Sequence, residues 1–412
     1  MLQLKTTPFH SRTSALMQAN QWRRWSGYTV ASAYEMSHEH EYLAVRNSAV
    51  IIDVSALCKY HIRGQDACAY LNRLVTRDVS KCAPDGLLYT PWCDSHGKVI
   101  DDGTIAHLGE NFYRLTAAES NFRWLQDNLS DFDVTIEDVS EDFGTLALQG
   151  PKARDILVEA FGERLAALKF YRWAEVEFQG HPLVVSRTGY SGDLGYELWV
   201  PKDLAAAVWD RLMQVGFRYA LTPAGIWALD VARIEAGLIM LDVDYTPATK
   251  AVTDAQASSP YELGLEWALN FKKGNFVGRR ALLAEKAAGS KLSLIGLVID
   301  HVRLEQEYEA MNLPVAYPFV PWREMLPIFA PSVGREGGCA SPLSLSPVQV
   351  GYATCGSWSP TMKKYLALAQ VEPGYADVGQ ILSVDLLVDR YRKSIPATVA
   401  ALPFYNPERK KS

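Results

Sequence analysis

Hydrophobic and polar positions in the first half of the chain alternate in ways that predict several strands. Alternation predicts a hairpin of two strands, 87–92 and 98–108, joined by a turn over 94–97. Two further strands, 181–186 and 196–200, flank a glycine-rich loop. No regular repeat of strand and helix runs through these segments, so a parallel doubly wound sheet is not expected.

Helical spacing of apolar residues lies between and after these strands. A helix is predicted to open at Gly150-Pro151, and another over 204–215 is predicted to end at Gly216. Thr222-Pro223 combines a capping hydroxyl with a proline and predicts the start of a third helix. Strands and helices mixed in this order indicate an α+β fold.

The pattern changes near residue 285. Positions 284–291 are rich in Ala, Lys and Gly and predict a linker. Short strands follow and predict a small C-terminal β-barrel: 292–299, 348–353, 364–370 and 381–388. Residues 301–346 form a long excursion whose aromatic content favours order. We therefore expect two interleaved α+β domains over 1–285 and a barrel domain over 286–412 with this inserted loop.

Composition limits the possible functions. The 412 residues are 48% hydrophobic and 21% charged, with a net charge of -6, which argues against a surface for nucleic acid. No apolar run is long enough for a signal peptide or a membrane span, so a soluble, cytoplasmic protein without a membrane partner is expected. The six cysteines include no C-x-x-C pair and are expected to be reduced thiols, and no metal site is predicted.

The hairpin carries two adjacent aspartates. Alternation places Asp101 on the face of the β-branched residues Val99 and Ile105, whereas Asp102 lies on the opposite face. A carboxylate on a buried face needs a partner, or its pKa rises and it becomes suited to proton transfer. The alternative is a carboxylate that only accepts backbone N–H groups at a bend.

Two other positions are candidates for ligand contacts. Glu197 follows the glycine-rich loop and shares a strand face with Trp199, which suits a flat heterocycle rich in N–H groups, although an exposed surface glutamate fits the pattern as well. Arg233 lies three residues after Asp230 on the third helix. It forms either an internal ion pair or a planar guanidinium for a ligand carboxylate.

Taken together, ordered motifs resemble one family. These motifs are Val99-Ile100-Asp101-Asp102, Leu148-Gln149-Gly150-Pro151, Thr188-Gly189-Tyr190-Ser191-Gly192, Glu197, Arg233-Ile234-Glu235-Ala236-Gly237, Phe276-Val277-Gly278-Arg279 and Ser359-Pro360. From about residue 7 to residue 403 the chain resembles the aminomethyltransferase family, which includes the glycine-cleavage T protein.

The resemblance implies three domains around a central channel that binds tetrahydrofolate. By position, Asp101 matches the acidic residue near the reactive pterin nitrogens, and Glu197 matches the acid that binds the pterin ring. Arg233 matches the arginine at the glutamate tail of the folate. The remaining matched positions line the cofactor site: Leu57, Tyr89, Tyr113, Tyr190 and Trp267.

Departures from the family pattern bear on the substrate. Ala56-Leu57 stands where the family usually has His-Met, and Ala117 stands where T proteins usually have asparagine. The stretch 240–247 is similar to folate-dependent demethylases, in which Tyr245 would orient the donor or protonate the leaving group. The excursion 301–346 is absent from a typical T protein, and additions near a channel mouth favour a new substrate pocket.

The resulting expectation is an enzyme that moves a methyl or methylene group from a small methylated substrate to tetrahydrofolate. The substrate would be a methoxy aromatic, a methylated amine or a sulfonium compound. One alternative is a glycine-cleavage T protein that acts on a lipoylated carrier protein. Others are a non-catalytic folate-binding assembly factor and a subunit that works with a flavoprotein.

Overall fold

The structure, a computed structural model, describes residues 4–318, 320–330 and 347–412. Its helices are α1 (His10–Leu16), α2 (Glu39–Asn47), α3 (Ala67–Leu74), α4 (Phe122–Asp127), α5 (Ala153–Phe161), α6 (Ala205–Gly216), α7 (Ile226–Glu235), α8 (Arg279–Ala288) and α9 (His301–Ala310). Its strands are β1 (Lys5–Thr6), β2 (Gln21–Trp25), β3 (Tyr28–Ala33), β4 (Ala49–Asp53), β5 (Cys58–Arg63), β6 (Leu87–Cys93), β7 (Val99–Gly109), β8 (Phe112–Ala117), β9 (Thr135–Asp138), β10 (Phe143–Gln149), β11 (Trp173–Phe178), β12 (His181–Ser186), β13 (Gly195–Pro201), β14 (Leu221–Pro223), β15 (Ser293–Ile299), β16 (Leu326–Phe329), β17 (Gln349–Ser359), β18 (Lys364–Val371), β19 (Ile381–Val388) and β20 (Tyr391–Ala400).

Two sheets form the first part of the fold, beside a small sheet of β1, β3 and β2. One sheet has the order β6-β7-β8-β5-β9, and its apolar face packs on α3. The other has the order β11-β12-β13-β10-β4-β14, with α5 and α6 covering its apolar residues. The predicted hairpin is β6 and β7, and the predicted strands around the glycine-rich loop are β12 and β13. The α+β prediction is confirmed.

The C-terminal strands close into a barrel, as the sequence predicted. Its order is β15-β18-β17-β16-β19-β20, and β20 pairs with β15. Alternate residues along β19 and β20 are buried in the barrel core, which is the period expected of a strand with one solvent-exposed face. β16 comes from the excursion and completes the barrel between β17 and β19.

Three local predictions differ from the structure. The third helix begins at Ile226, because Leu221–Pro223 pairs with β4 as an edge strand instead of capping the helix. Residues 284–288 of the predicted linker are the end of α8, whose alanines are good helix formers, and Gly289 follows with a positive φ. The excursion contains α9 and β16, while its residues 331–346 lie outside the described residues.

Helix α7 contacts both the N-terminal elements and the barrel. It packs on α2 and β3 on one side and on β17 and β18 on the other. Its Glu235 accepts hydrogen bonds from Arg46 of α2 at 2.6 Å and from Ser359 of β17 at 2.5 Å. In the described parts of the chain no helix is long and apolar enough to cross a membrane. The division at residue 285 stays a prediction.

Candidate active site

A large cavity of about 1090 Å³ lies where the two sheets, α7 and the barrel meet. That volume is at the upper end of the range for small-molecule sites. Strands β6 and β7 contribute Tyr89 and Asp102, and β13 contributes Glu197. The segments 236–243 and 400–403 line other parts of its wall. Of the residues predicted to form the site, Leu57, Tyr89, Tyr190, Glu197 and Trp267 line this cavity.

The two adjacent aspartates have different surroundings. Asp101 lies on the buried face predicted for it and is 1% exposed. Its carboxylate accepts hydrogen bonds from the backbone N–H of Asp102 at 2.7 Å, from the N–H of Glu119 at 3.2 Å and from the amide of Asn121 at 2.7 Å. Asp102 lines the cavity, and Asp101 does not. The side chain of Asp101 therefore orders the loop 119–121, and its carried-over role stays a prediction.

Asp102 is held by two tyrosines. The Tyr89 hydroxyl donates to its Oδ2 at 2.8 Å, and the Tyr245 hydroxyl donates to its Oδ1 at 2.5 Å. Burial raises the pKa of Asp102, the nearby charge of Asp244 adds to the rise, and the two tyrosine hydrogen bonds oppose it. A carboxyl with a raised pKa on a cavity wall is suited to exchange protons with a bound ligand.

Tyr245 is placed behind Asp102 and not on the cavity wall. Only 2% of the residue is exposed, and it packs in a cluster with Val99, Ile239 and Leu263. Because its hydroxyl donates to Asp102, the structure gives Tyr245 a positioning contact with that carboxylate. Direct contact with a donor, as the sequence suggested, stays a prediction.

Glu197 presents a carboxylate to the cavity from the middle of a sheet. Its Oε2 accepts a hydrogen bond from the Thr188 hydroxyl at 2.6 Å. Burial raises the pKa of Glu197, whereas the Thr188 hydrogen bond and the charge of Lys59 lower it. The glycine-rich loop makes this placement possible, since a Cβ at Gly189 or Gly195 would overlap the buried side chain of Gln149.

Aromatic residues flank the cavity at two places. The ring of Trp267 is 62% exposed and stacks on Tyr89 with centroids 5.9 Å apart. The guanidinium of Arg77 lies 5.5 Å from the Trp267 ring. The Tyr190 hydroxyl donates to the carbonyl oxygen of Ile239 and so fixes the phenol against the segment 236–243.

Arg233 and Tyr113 are not in the cavity. Arg233 is fully buried; its Nε donates to Asp230 at 2.7 Å, and its Nη1 binds the carboxylate of Asp244. Of the two interpretations of Arg233, the structure shows the internal ion pair. Tyr113 stacks on His107 with centroids 4.6 Å apart and belongs to the core under α3. Folate contacts predicted for these two residues would need a different arrangement of their side chains.

Several cavity residues were not singled out from sequence. Arg23 and Arg24 of β2 line the cavity, and so does Arg323 from the excursion. Lys59 lies beneath Leu57, where its ammonium donates to the carbonyl oxygens of Ser55 at 2.9 Å and Leu57 at 2.7 Å. Isolated basic residues on short strands have no motif, so only the tertiary structure brings them together. Within the described residues, no group of His, Cys, Asp and Glu is placed to hold a metal ion.

Comparisons with known proteins agree with this fold. The family model "GCVT N-terminal domain" matches residues 7–273, and "Glycine cleavage T-protein C-terminal barrel domain" matches residues 328–406. The chain belongs to the aminomethyltransferase family of enzymes, as its motifs predicted. Residues 274–327 lie between the two family models.

Relatives with this name match almost the whole chain. "Aminomethyltransferase" of Caldanaerobacter subterraneus subsp. tengcongensis is 32% identical over 393 residues, which cover 94% of this chain and 92% of the relative. The protein of the same name from Moorella thermoacetica is 32% identical, with 100% of both chains covered. The crystal structure of glycine cleavage system aminomethyltransferase T from Bartonella henselae superposes with a TM-score of 0.79 at 22% identity, covering 98% of this chain and 99% of that one, which shows the shared fold.

Proposed function

We propose that this enzyme transfers a one-carbon unit to tetrahydrofolate, and that the unit is the methylene carbon of an aminomethyl group on a carrier protein, whose nitrogen leaves as ammonia while the carrier thiol is released. The observation that carries the proposal is the cavity with the Glu197 and Asp102 carboxylates on its wall. Relatives over the full length of the chain are named aminomethyltransferase, which supports the T-protein alternative more than the demethylase expectation.

The residues present fit a folate. A pterin ring offers adjacent N–H donors, and the Glu197 carboxylate is an acceptor oriented by Thr188 and open to the cavity. Apolar side chains that include Leu57 and Leu229 line the same cavity and suit the flat faces of a ring. Bound tetrahydrofolate supplies nucleophilic amine nitrogens that accept the carbon.

Asp102 is the group best placed for the proton that such a transfer moves. Burial raises its pKa, which favours the exchange of a proton with a bound ligand, and the two tyrosine hydrogen bonds fix its orientation. Holding the reactants in place inside the cavity contributes most of the acceleration in this kind of transfer.

A free methylated donor is the second candidate function. Ala117 lines the cavity with an apolar side chain, where the resemblance implies an asparagine in T proteins, and Tyr245 donates a hydrogen bond to Asp102. Arg323 adds a cation to the wall from a segment outside both family models. These features favour a cavity adapted to a small, independent substrate.

One experiment separates the two. The enzyme is incubated without oxygen with tetrahydrofolate and either an aminomethyl-loaded lipoyl carrier or single free donors, and folate products are read by mass spectrometry. Donors include methoxybenzoates, dimethylglycine and dimethylsulfoniopropionate. Methylenetetrahydrofolate from the carrier alone supports the proposal, and methyltetrahydrofolate from a free donor replaces it with a demethylase. No folate product in any tube would refute both.

Variants of a residue on the cavity wall test the proposed binding of tetrahydrofolate. Glu197→Gln removes the charge of the proposed pterin acceptor, and Glu175→Gln on exposed β11 of the same sheet is the matched control. We expect weaker tetrahydrofolate binding for Glu197→Gln alone, by about tenfold or more, because hydrogen bonds to charged groups are the stronger ones. Equal binding by the two variants would exclude Glu197 from the site.

A further inference from the structure

Arg323 is fixed on the barrel by its neighbour. Trp322 and Gly356 of β17 exchange two backbone hydrogen bonds of 3.0 and 3.2 Å, and the Trp322 indole donates to the Tyr365 hydroxyl at 2.8 Å. A Cβ at Gly356 would overlap the Trp322 ring, so glycine there lets the ring lie flat on the strand. These contacts of Trp322 fix the backbone position of the neighbouring Arg323.

From that place Arg323 reaches α7 and the cavity. Its Nε donates to Oδ2 of Asp230 at 2.8 Å, and 30% of its side chain is exposed. It also lines the cavity. Asp230 is shared, because Arg233 binds its other oxygen at 2.7 Å. The negative charge of Asp230 is therefore shared between Arg323 and Arg233.

A second guanidinium lies nearby on β2. Arg23 is half-buried, lines the cavity and donates from its Nε to the Ser32 hydroxyl at 3.2 Å. Burial and, to a lesser degree, the positive charge of Arg323 lower the pKa of Arg23 to about 10, while Asp230 opposes the shift. Two cations that repel each other beside a cavity indicate space for an anion.

The charged groups around Asp230 do not balance. Among the described residues it contains three guanidinium groups, Arg23, Arg233 and Arg323, and two carboxylates, Asp230 and Asp244. The unmatched positive charge lies on the cavity side, since Arg233 is fully buried between the two aspartates. A planar guanidinium pairs well with a carboxylate through two parallel hydrogen bonds.

We propose that Arg23 and Arg323 form a carboxylate-binding site in the cavity, which the inserted segment completes. The carboxylate belongs either to the glutamate of the folate or to the one-carbon donor. The inference rests on the proposed function only for the identity of that ligand. It assigns to Arg323 a carboxylate contact that Arg233, paired with Asp230 and Asp244, does not offer in this structure.

The test measures ligand binding directly by calorimetry. The variants are Arg323→Gln and Arg23→Gln, and Arg303→Gln on α9 of the same inserted segment is the matched control, since Arg303 is paired with Glu307. Arg323→Gln leaves Asp230 its contact with Arg233, so the fold is retained, as thermal unfolding will verify. The ligands are tetrahydrofolate, p-aminobenzoylglutamate as the tail alone, and 6-methyltetrahydropterin, which has no carboxylate.

We expect both site variants to bind the carboxylate ligand on the order of tenfold or more weakly, and Arg303→Gln to bind like wild type. If the site variants bind tetrahydrofolate and p-aminobenzoylglutamate more weakly than wild type but bind the tetrahydropterin equally well, the carboxylate is that of the folate. If the site variants bind tetrahydrofolate and dimethylaminoethanol as wild type does but bind dimethylglycine more weakly, the carboxylate is that of the one-carbon donor.

Other outcomes separate the two proposals. If every carboxylate ligand binds the site variants as it binds wild type, the carboxylate site is wrong. If wild type binds p-aminobenzoylglutamate in an Arg323-dependent way but binds neither tetrahydrofolate nor the tetrahydropterin, the proposed function fails and the carboxylate site stands.

Discussion

Replacing Arg233 by glutamine tests whether this residue acts in folding or in ligand binding. Its side chain is fully buried between Asp230 and Asp244, and its Nη1 also donates to the carbonyl oxygen of Leu238 at 3.2 Å. Removing one partner of a buried ion pair costs about 3–5 kcal/mol. We expect the lower end, because Asp230 keeps Arg323 as a partner at 2.8 Å. Such a loss is a large part of the ~5–15 kcal/mol typical of a folded protein.

The assay is urea unfolding followed by tryptophan fluorescence. Arg323→Gln is the comparison, because it removes the other cation on Asp230 from a side chain that is 30% exposed. Because the buried Asp230 keeps Arg233 as a partner at 2.7 Å, the urea midpoint of Arg323→Gln should fall by less than that of Arg233→Gln. The opposite order, a stable Arg233→Gln protein with weakened folate binding, would refute the ion-pair explanation and restore the role inferred by resemblance.

The same pair predicts a pH dependence. Burial alone would raise the pKa of Asp230, but Arg233 and Arg323 lower it below its ordinary value. A carboxyl group with a lowered folded pKa stabilises the fold above its unfolded pKa, and this contribution is lost as the pH falls through the folded value. The difference between wild type and Arg233→Gln should therefore be full at neutral pH and shrink in acid.

Three further outcomes are expected. Asp102→Asn should lower turnover by about a hundredfold or more with little change in thermal stability, whereas Asp101→Asn should mainly loosen the loop 119–121 and lower the melting temperature; the reverse pattern would return the catalytic role to Asp101. Burial raises the pKa of Glu197, so its ionised form disfavours folding above the ordinary pKa of 4.5. Glu197→Gln should therefore raise the melting temperature at pH 7 but not at pH 4. The same change in melting temperature at both pH values would contradict this. Burial lowers the pKa of Lys59 to about 8 from 10.5, so wild-type stability should rise between these pH values and Lys59→Met should flatten the rise; the same rise in both proteins would contradict this.

Local patterns predicted the elements near the site but not which side chains face the cavity. The period of the hairpin separated Asp101 from Asp102 and placed Asp101 on the buried face, as found. Sequence alternation does not say which of two faces borders a ligand, because that depends on the second sheet and α7. The pairing of Arg233 with Asp230 followed from helical spacing, whereas its pairing with Asp244 depends on the fold of segment 236–243.

The barrel was predicted from its strands, and its missing members were short or atypical. β16 has four residues and includes Pro327, which weakens the strand pattern, so the excursion was treated as a loop. Arg323 reaches the cavity only because Trp322 pairs with Gly356, and no local signal reveals a contact between residues so far apart in the chain. The resemblance to a family likewise could not identify it, since residues 274–327 lie outside both family models.

The attachment of Trp322 to Gly356 has a consequence for the whole molecule. Arg323 is anchored on the barrel but completes a wall whose other residues belong to α7 and β2. A ligand bound between Arg323 and Arg23 would bridge the barrel to the N-terminal sheets, so its binding free energy would add to the work of separating them. The coupling is reciprocal: the ligand favours the joined arrangement of barrel and sheets by the same factor by which that arrangement favours binding of the ligand.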